Sequence, residues 1–276
     1  MHTTWLIANG TFGEAIRRRT LLIFLLVAAF VIVVGAANSS FQPGRDTVVV
    51  KTLGLGVILL TGVFISVILG INLLPTEIER RTVYTILSKP VHRYQFVCGK
   101  FLGGLMTVLA SVAVMSFVFL LLMVIKERGF SHEVANVAKG LVLIVFAITM
   151  INAVAMFFSV FLSPFVNFFL TFAVYLLGSV SSVTAALADP HADPEHPKNP
   201  VVLIIFKVIH AVIPNFANYN VQNPILDPHI RIFNEPYFIG SNIGIAIAYT
   251  LILLTFAAVI FERREVLGRD SSRPLL

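Results

Sequence analysis

From Gly140 to Ala188 the chain carries no Asp, Glu, Lys, Arg or His. A hydrocarbon core of about 30 Å is crossed by about 20 helical residues, so this run is too long for a single crossing. "FLSPFVN" at Phe161–Asn167 divides it, because a proline removes a backbone donor and clashes with the preceding turn. The pattern predicts two crossings, about 140–163 and 165–187, joined at Ser163–Pro164.

Four further uncharged windows lie at Thr20–Gly44, Thr52–Leu74, Phe101–Ile125 and Pro236–Phe261, predicting spans over about 20–37, 53–74, 101–125 and 238–261. The chain is 57% hydrophobic and 12% charged, where soluble domains carry about 25% charged residues. A soluble core of this size could not hide that much apolar surface, so the surface itself must face lipid. The expected fold is an all-α polytopic membrane protein of six transmembrane helices in one domain over 1–276.

Orientation follows from the basic residues. With the N-terminus inside, twelve of the 20 Lys and Arg residues fall on the cytoplasmic side, at Arg17–Arg19, Arg80, Arg81, Lys89, Arg93, Lys100 and beyond Phe261. Both termini are then cytoplasmic, as an even number of spans requires. The net charge of +6 flanks the spans and forms no soluble basic patch, which argues against nucleic acid and for a multi-pass protein of the cell (inner or plasma) membrane. Arg17–Arg19 before an apolar run imitate a signal peptide, but the run exceeds the usual apolar core of roughly 7–15 residues. It is expected to stay as the first span.

Two segments are neither spans nor plain loops. Met1–Arg19 places Trp5, Ala8, Phe12, Ala15 and Ile16 at helical spacing, which predicts an interfacial helix over 1–19 with Trp5, Phe12 and Ile16 toward the membrane. The external loop 189–235 contains "VVLIIFKVIHAVIPNF", too short to span and expected to be re-entrant or interfacial before span 6.

Charge is concentrated in the connection Pro75–Lys100. Thr76 and Glu79 form a T-x-x-E capping box, in which each side chain satisfies an orphan backbone donor. Ile78, Val83, Ile86 and Leu87 make an apolar stripe, and Glu77, Arg80, Arg81 and Tyr84 lie opposite, with Thr82 beside the stripe. Ser88 and Lys89 precede Pro90, which pushes the residue before it out of helical geometry. An amphipathic helix over 76–88 results, with a second start at His92–Arg93. Topology alone needs lysine and arginine but no capping box, stripe or proline stop, so this helix reads as a handle for a partner.

"EIERRTVYTILSKPVHRYQFVCGKFLG" resembles the signature of type-2 ABC exporter permeases. In that family, acidic residues, a Thr, a Leu-rich turn, Ser-x-Pro, Val, a basic residue, Phe and Gly-Lys follow the second span. Glu77, Glu79, Thr82, Leu87, Ser88, Pro90, Val91, Arg93, Phe96, Gly99 and Lys100 occupy those positions, and Arg81 stands where the family commonly has Gly. The six-span layout and "IPNFANYN" before the last span are similar to the family as well. The resemblance implies that 76–88 is a coupling helix and that 1–19 is a connecting helix beside it. The ATPase-coupling residues are then Glu77, Glu79, Arg80, Arg81, Thr82, Tyr84, Ser88, Pro90 and Arg93. The resemblance also implies two copies of a cytoplasmic P-loop ATPase and a second permease copy, identical or related.

The chain has no P-loop of its own: Gly99-Lys100 is followed by Phe101 and lacks the upstream glycine of G-x-x-x-x-G-K-[ST]. No catalytic residue, cofactor or metal site is expected. Cys98 is alone and reads as structural. "DPHADPEHP" supplies His191, Asp193, Glu195 and His196, but its proline density suits a hydrated external loop. Asn152, Asn167 and Asn242 are expected to hydrogen-bond between helices, not to bind substrate. The predicted function is export of an apolar or amphiphilic substrate. The alternative is force transmission or complex assembly with an external partner through 189–235; a third class is a membrane scaffold without an ATPase.

Overall fold

The computed structural model describes residues 2–39, 46–73, 93–126, 129, 131–181, 200–220 and 234–270. The helices are α1 (His2–Ile16), α2 (Arg19–Ser39), α3 (Asp46–Leu73), α4 (Arg93–Lys126), α5 (His132–Ser159), α6 (Pro164–Ser179), α7 (Pro200–Val212) and α8 (Glu235–Asp270). A 3-10 turn, Phe216–Tyr219, sits between α7 and α8. No strand occurs among the described residues.

Among the described residues, four helices are long and apolar enough to cross a membrane: Val50–Ile71 of α3, Tyr94–Lys126 of α4, His132–Ser159 (α5) and Glu235–Glu262 of α8. A fifth crossing is available from α1 and α2 taken together, bent by 64° at their joint. α6 has 16 residues, about 24 Å of helix. It is shorter than the span expected over 165–187, whose last residues lie outside those described.

The helices extend beyond the uncharged windows. α3 starts at Asp46 and not near 53, α4 at Arg93 and not 101, and α5 at His132 and not 140. Charges at a helix end do not stop it; an uncharged window marks the hydrocarbon-crossing part only. Start signals fit local chemistry. Ser131 caps α5 by accepting from the Val134 N–H at 3.4 Å. Pro164 opens α6 after an extended Ser163 (φ −66°, ψ 153°). Gly129, at φ 152°, makes the turn into α5 with its N–H on the Val124 carbonyl.

α5 is the central helix: every residue from Met150 to Met156 is buried. α3 lies against it by close backbone approach. A Cβ at Gly62 would sit 2.3 Å from Ile148 Cδ1, and one at Gly70 2.4 Å from Ala155 Cβ. Outward faces are apolar too, with Leu26, Phe30, Phe117, Phe165 and Leu251 all more than half exposed. Water would not tolerate that exposure at such density; hydrocarbon does.

The bundle has two distinct ends. At one, Phe96 of α4 stacks on Phe261 of α8 (6.1 Å), beside Met156 of α5 and Val160 just past its end. At the other, Lys51 pairs with Glu133 and Lys139 with Glu235 (2.7 Å), while Tyr175 of α6 meets Phe216. α3, α5 and α8 therefore run in one direction between these two ends, and α4 in the other.

Candidate coupling interface

Glu77, Glu79, Arg80, Arg81, Thr82, Tyr84, Ser88 and Pro90 lie outside the described residues. Arg93 is the first residue of α4. What the structure defines is the ground on which that connection stands: the end of α3 at Leu73 and the start of α4 at Arg93.

Across the start of α4 lies α1. Its contact is made by small residues. A Cβ at Gly99 would meet Ile7 Cβ at 2.9 Å and the Thr4 carbonyl at 3.0 Å; one at Gly103 would meet the Ala8 carbonyl and Thr11 Cβ, both at 2.6 Å. Backbone atoms on the α1 side cannot swing away, so only glycine fits at Gly103. Ala8, Thr11 and Ala15 are correspondingly buried. Hydroxyls in this contact are spent on their own helices: Thr11 Oγ1 donates to the Ile7 carbonyl and Thr107 Oγ1 to the Gly103 carbonyl, each at 2.9 Å. That leaves the helix-to-helix contact to dispersion and shape.

Lys100 lies in the same stretch. It is the one buried charged side chain among the described residues, and its Nζ stands 5.9 Å from the Phe96 ring centroid. The Phe96–Phe261 stack ties this part of α4 to the last helix. α1, the start of α4 and the end of α8 thus form one packed unit.

Trp5, Phe12 and Ile16 occupy the next sector of α1. At about 100° per residue they share a side flanking the docked one. Trp5 and Ile16 are exposed and Phe12 is half-buried. The docked sector is Ile7, Ala8, Thr11 and Ala15, so two of the apolar positions, Ala8 and Ala15, pack on protein and face no lipid. The signal for that docking stands in the sequence as Gly99-x-x-x-Gly103, a small-residue spacing that brings helix backbones together. A hydropathy reading passes over it because glycine scores as neither polar nor strongly apolar.

The three asparagines behave differently from one another. Asn167 Nδ2 donates to the Ala155 carbonyl of α5 at 2.9 Å, and its Oδ1 accepts from Thr171. Asn242 Oδ1 accepts from Asn218 Nδ2 at 3.1 Å, its carbonyl accepts from the Tyr219 hydroxyl at 2.7 Å, and its Nδ2 donates to Phe238 on its own helix. Asn152 is fully buried, and neither amide atom has a hydrogen-bond partner among the described residues. Asn167 and Asn242 therefore join elements, whereas Asn152 does not.

At the other end, the Asn215–Asn220 turn is a polar clasp. Asn215 Oδ1 accepts from Ser181 and from the Ala217 N–H, linking the end of α6 to the turn, and Asn218 and Tyr219 carry the chain of bonds to α8. Burial pushes the Tyr219 hydroxyl up to about 12. α7 packs loosely and exposes Val201, Ile204, Ile205, Val208 and Val212. The His/Asp/Glu loop at 191–196 lies outside the described residues.

A chain whose described residues form four to five helices long and apolar enough to cross a membrane, with exposed apolar faces and Lys100 as their one buried charge, is a multi-pass integral membrane protein. The family model described as "ABC-2 family transporter protein" matches residues 5–266, and the chain belongs to that family. It is a permease component of an ABC transporter, a membrane part that associates with an ATP-binding cassette ATPase. No curated protein matches the chain.

Proposed function

We propose that this protein is the six-span, substrate-translocating subunit of an exporter, with both termini cytoplasmic. It pairs with a second permease copy and couples ATP hydrolysis on two separate ATPase subunits to export of an apolar or amphiphilic substrate. The observation that carries the coupling assignment is the backbone-close docking of α1 on Gly99 and Gly103. In sequence the 76–88 segment lies four residues ahead of α4, the helix on which α1 docks, so a push on that segment would be passed to α4 and α1 together. The near absence of buried charge among the described residues supports an apolar or amphiphilic cargo, since a charged pathway needs charged or strongly polar lining.

The test places cysteines at Arg81 and Tyr84 in a Cys98→Ser background, which removes the only native thiol. Crosslinks to the ATPase subunit that change with nucleotide are the expected result. A functional complex in which neither position crosslinks would sink the assignment.

The clasp favours a second reading, transmission of force to an external partner. It joins the external turn to both α6 and α8, which suits a lever that moves an outside surface. Replacing 189–210 by a short linker, which spares the clasp, separates the two. ATP-driven export that survives this change removes the motive for force transmission.

A further inference from the structure

We propose that the elbow between α1 and α2 is a binding site for an anionic phospholipid, with its headgroup phosphate on Arg17–Arg19 and one acyl chain in the cleft between α2 and α3. The cleft has a volume of about 130 Å³. Arg18 and Thr20 line it where α2 begins; Leu21 and Phe24 line it deeper along α2, and Ile68 and Leu69 close it from the end of α3. A cationic mouth thus leads into an apolar interior at the level where a spanning helix leaves the hydrocarbon. At this point α1 turns away from the axis of α2 by 64°, and no residue of α1 lines the cleft.

Charge complementarity identifies the occupant. Three consecutive arginines stand at the elbow, and Glu14 offsets one of them through a 2.9 Å bond from Arg18 Nη2 to its Oε1. That pair engages one nitrogen of a group with five N–H donors, and the Arg18 side chain remains 41% exposed. Arg17 and Arg19 are exposed. A phosphate matches the guanidinium fork by paired hydrogen bonds. Soluble phosphate would use the arginines and leave the apolar walls wet; a phospholipid fills both. Topology alone accounts for three arginines but not for the cleft beside them. The proposal rests on the membrane location of the chain and is independent of ATP coupling.

The experiment uses the full chain in phosphatidylcholine nanodiscs, with Trp5→Phe removing the single tryptophan and Phe24→Trp placing an indole in the cleft. Brominated-chain phosphatidylglycerol and brominated-chain phosphatidylcholine are the probes. The indole is expected to be quenched preferentially by the phosphatidylglycerol, and each of Arg17→Gln and Arg18→Gln is expected to lower that preference about five-fold. Ile68→Trp repeats the measurement from the α3 wall should Phe24→Trp fail to fold. Equal quenching by both lipids, or a preference unchanged in the double arginine variant, overturns the proposal. Displacement of the brominated lipid by inorganic phosphate would assign the arginines to a soluble anion and overturn it equally.

Discussion

At the scale of single residues, three side chains have contrasting energetics. Gly103 has no room for a methyl group because the Ala8 carbonyl and Thr11 Cβ would lie at 2.6 Å. Gly103→Ala is therefore expected to destabilise the protein by about 1–3 kcal/mol and to reduce ATPase stimulation in the assembled complex. Thermal unfolding in detergent and ATP turnover measure the two effects, and a variant with wild-type values in both would contradict the docking argument. Asn152 is the opposite case. Its amide is buried with no partner among the described residues, a cost of about 1–3 kcal/mol, so Asn152→Leu should raise resistance to denaturing detergent by a comparable amount; lower resistance would show that the amide is bonded in the assembled protein. Tyr219 holds the clasp through its hydroxyl. Its pKa in the fold, about 12 against an ordinary 10, means that folding favours the protonated form. The associated stability is fully present below about pH 10 and is lost as pH rises through about 12. Tyr219→Phe should cost about 1 kcal/mol near neutrality and remove that alkaline transition, which tyrosinate absorbance would reveal.

At the scale of elements, α1 has two apolar sectors with different work. Ile7, Ala8, Thr11 and Ala15 dock on α4, and Trp5 and Ile16 remain exposed next to them. The sequence shows one broad apolar stripe there and does not divide it, because lipid and protein both accept apolar side chains. The coupling helix over 76–88 remains a sequence reading. Glu79→Ala removes one half of its capping box, worth about 1 kcal/mol of helix, and Pro90→Ala removes its stop. Each is expected to weaken ATP-driven activity while leaving membrane insertion intact. Normal activity in both variants, with the protein correctly inserted, would deny the segment a coupling role.

For the whole molecule, the described residues form a bundle around α5 with chemically different ends. One end gathers α1, the start of α4 and the end of α8; the other gathers two ion pairs and the asparagine clasp. Breaking Lys139–Glu235 by Lys139→Ala tests whether that end depends on ion pairing. Both side chains are over a third exposed, so the expected loss is small, under about 1 kcal/mol. A much larger loss in a detergent denaturation series would mean that lipid headgroups leave the pair poorly screened. By itself the sequence determined that the chain lives in a membrane as several long apolar helices, that Ser163–Pro164 separates two helices, and which connection is richest in charge. Those are statements about one residue or one short segment against its solvent, and hydropathy and local backbone chemistry carry them. Only the tertiary structure decided that α5 is central, that Gly99 and Gly103 seat α1, that Asn152 is orphaned where Asn167 is bonded, and that a cleft opens beside Arg18. In a bilayer the lipid-facing and protein-facing sides of a helix are equally apolar, so periodicity loses its power to tell inside from outside. Shape and hydrogen-bond reach between helices then make the choice, and those are properties of pairs that no single segment contains.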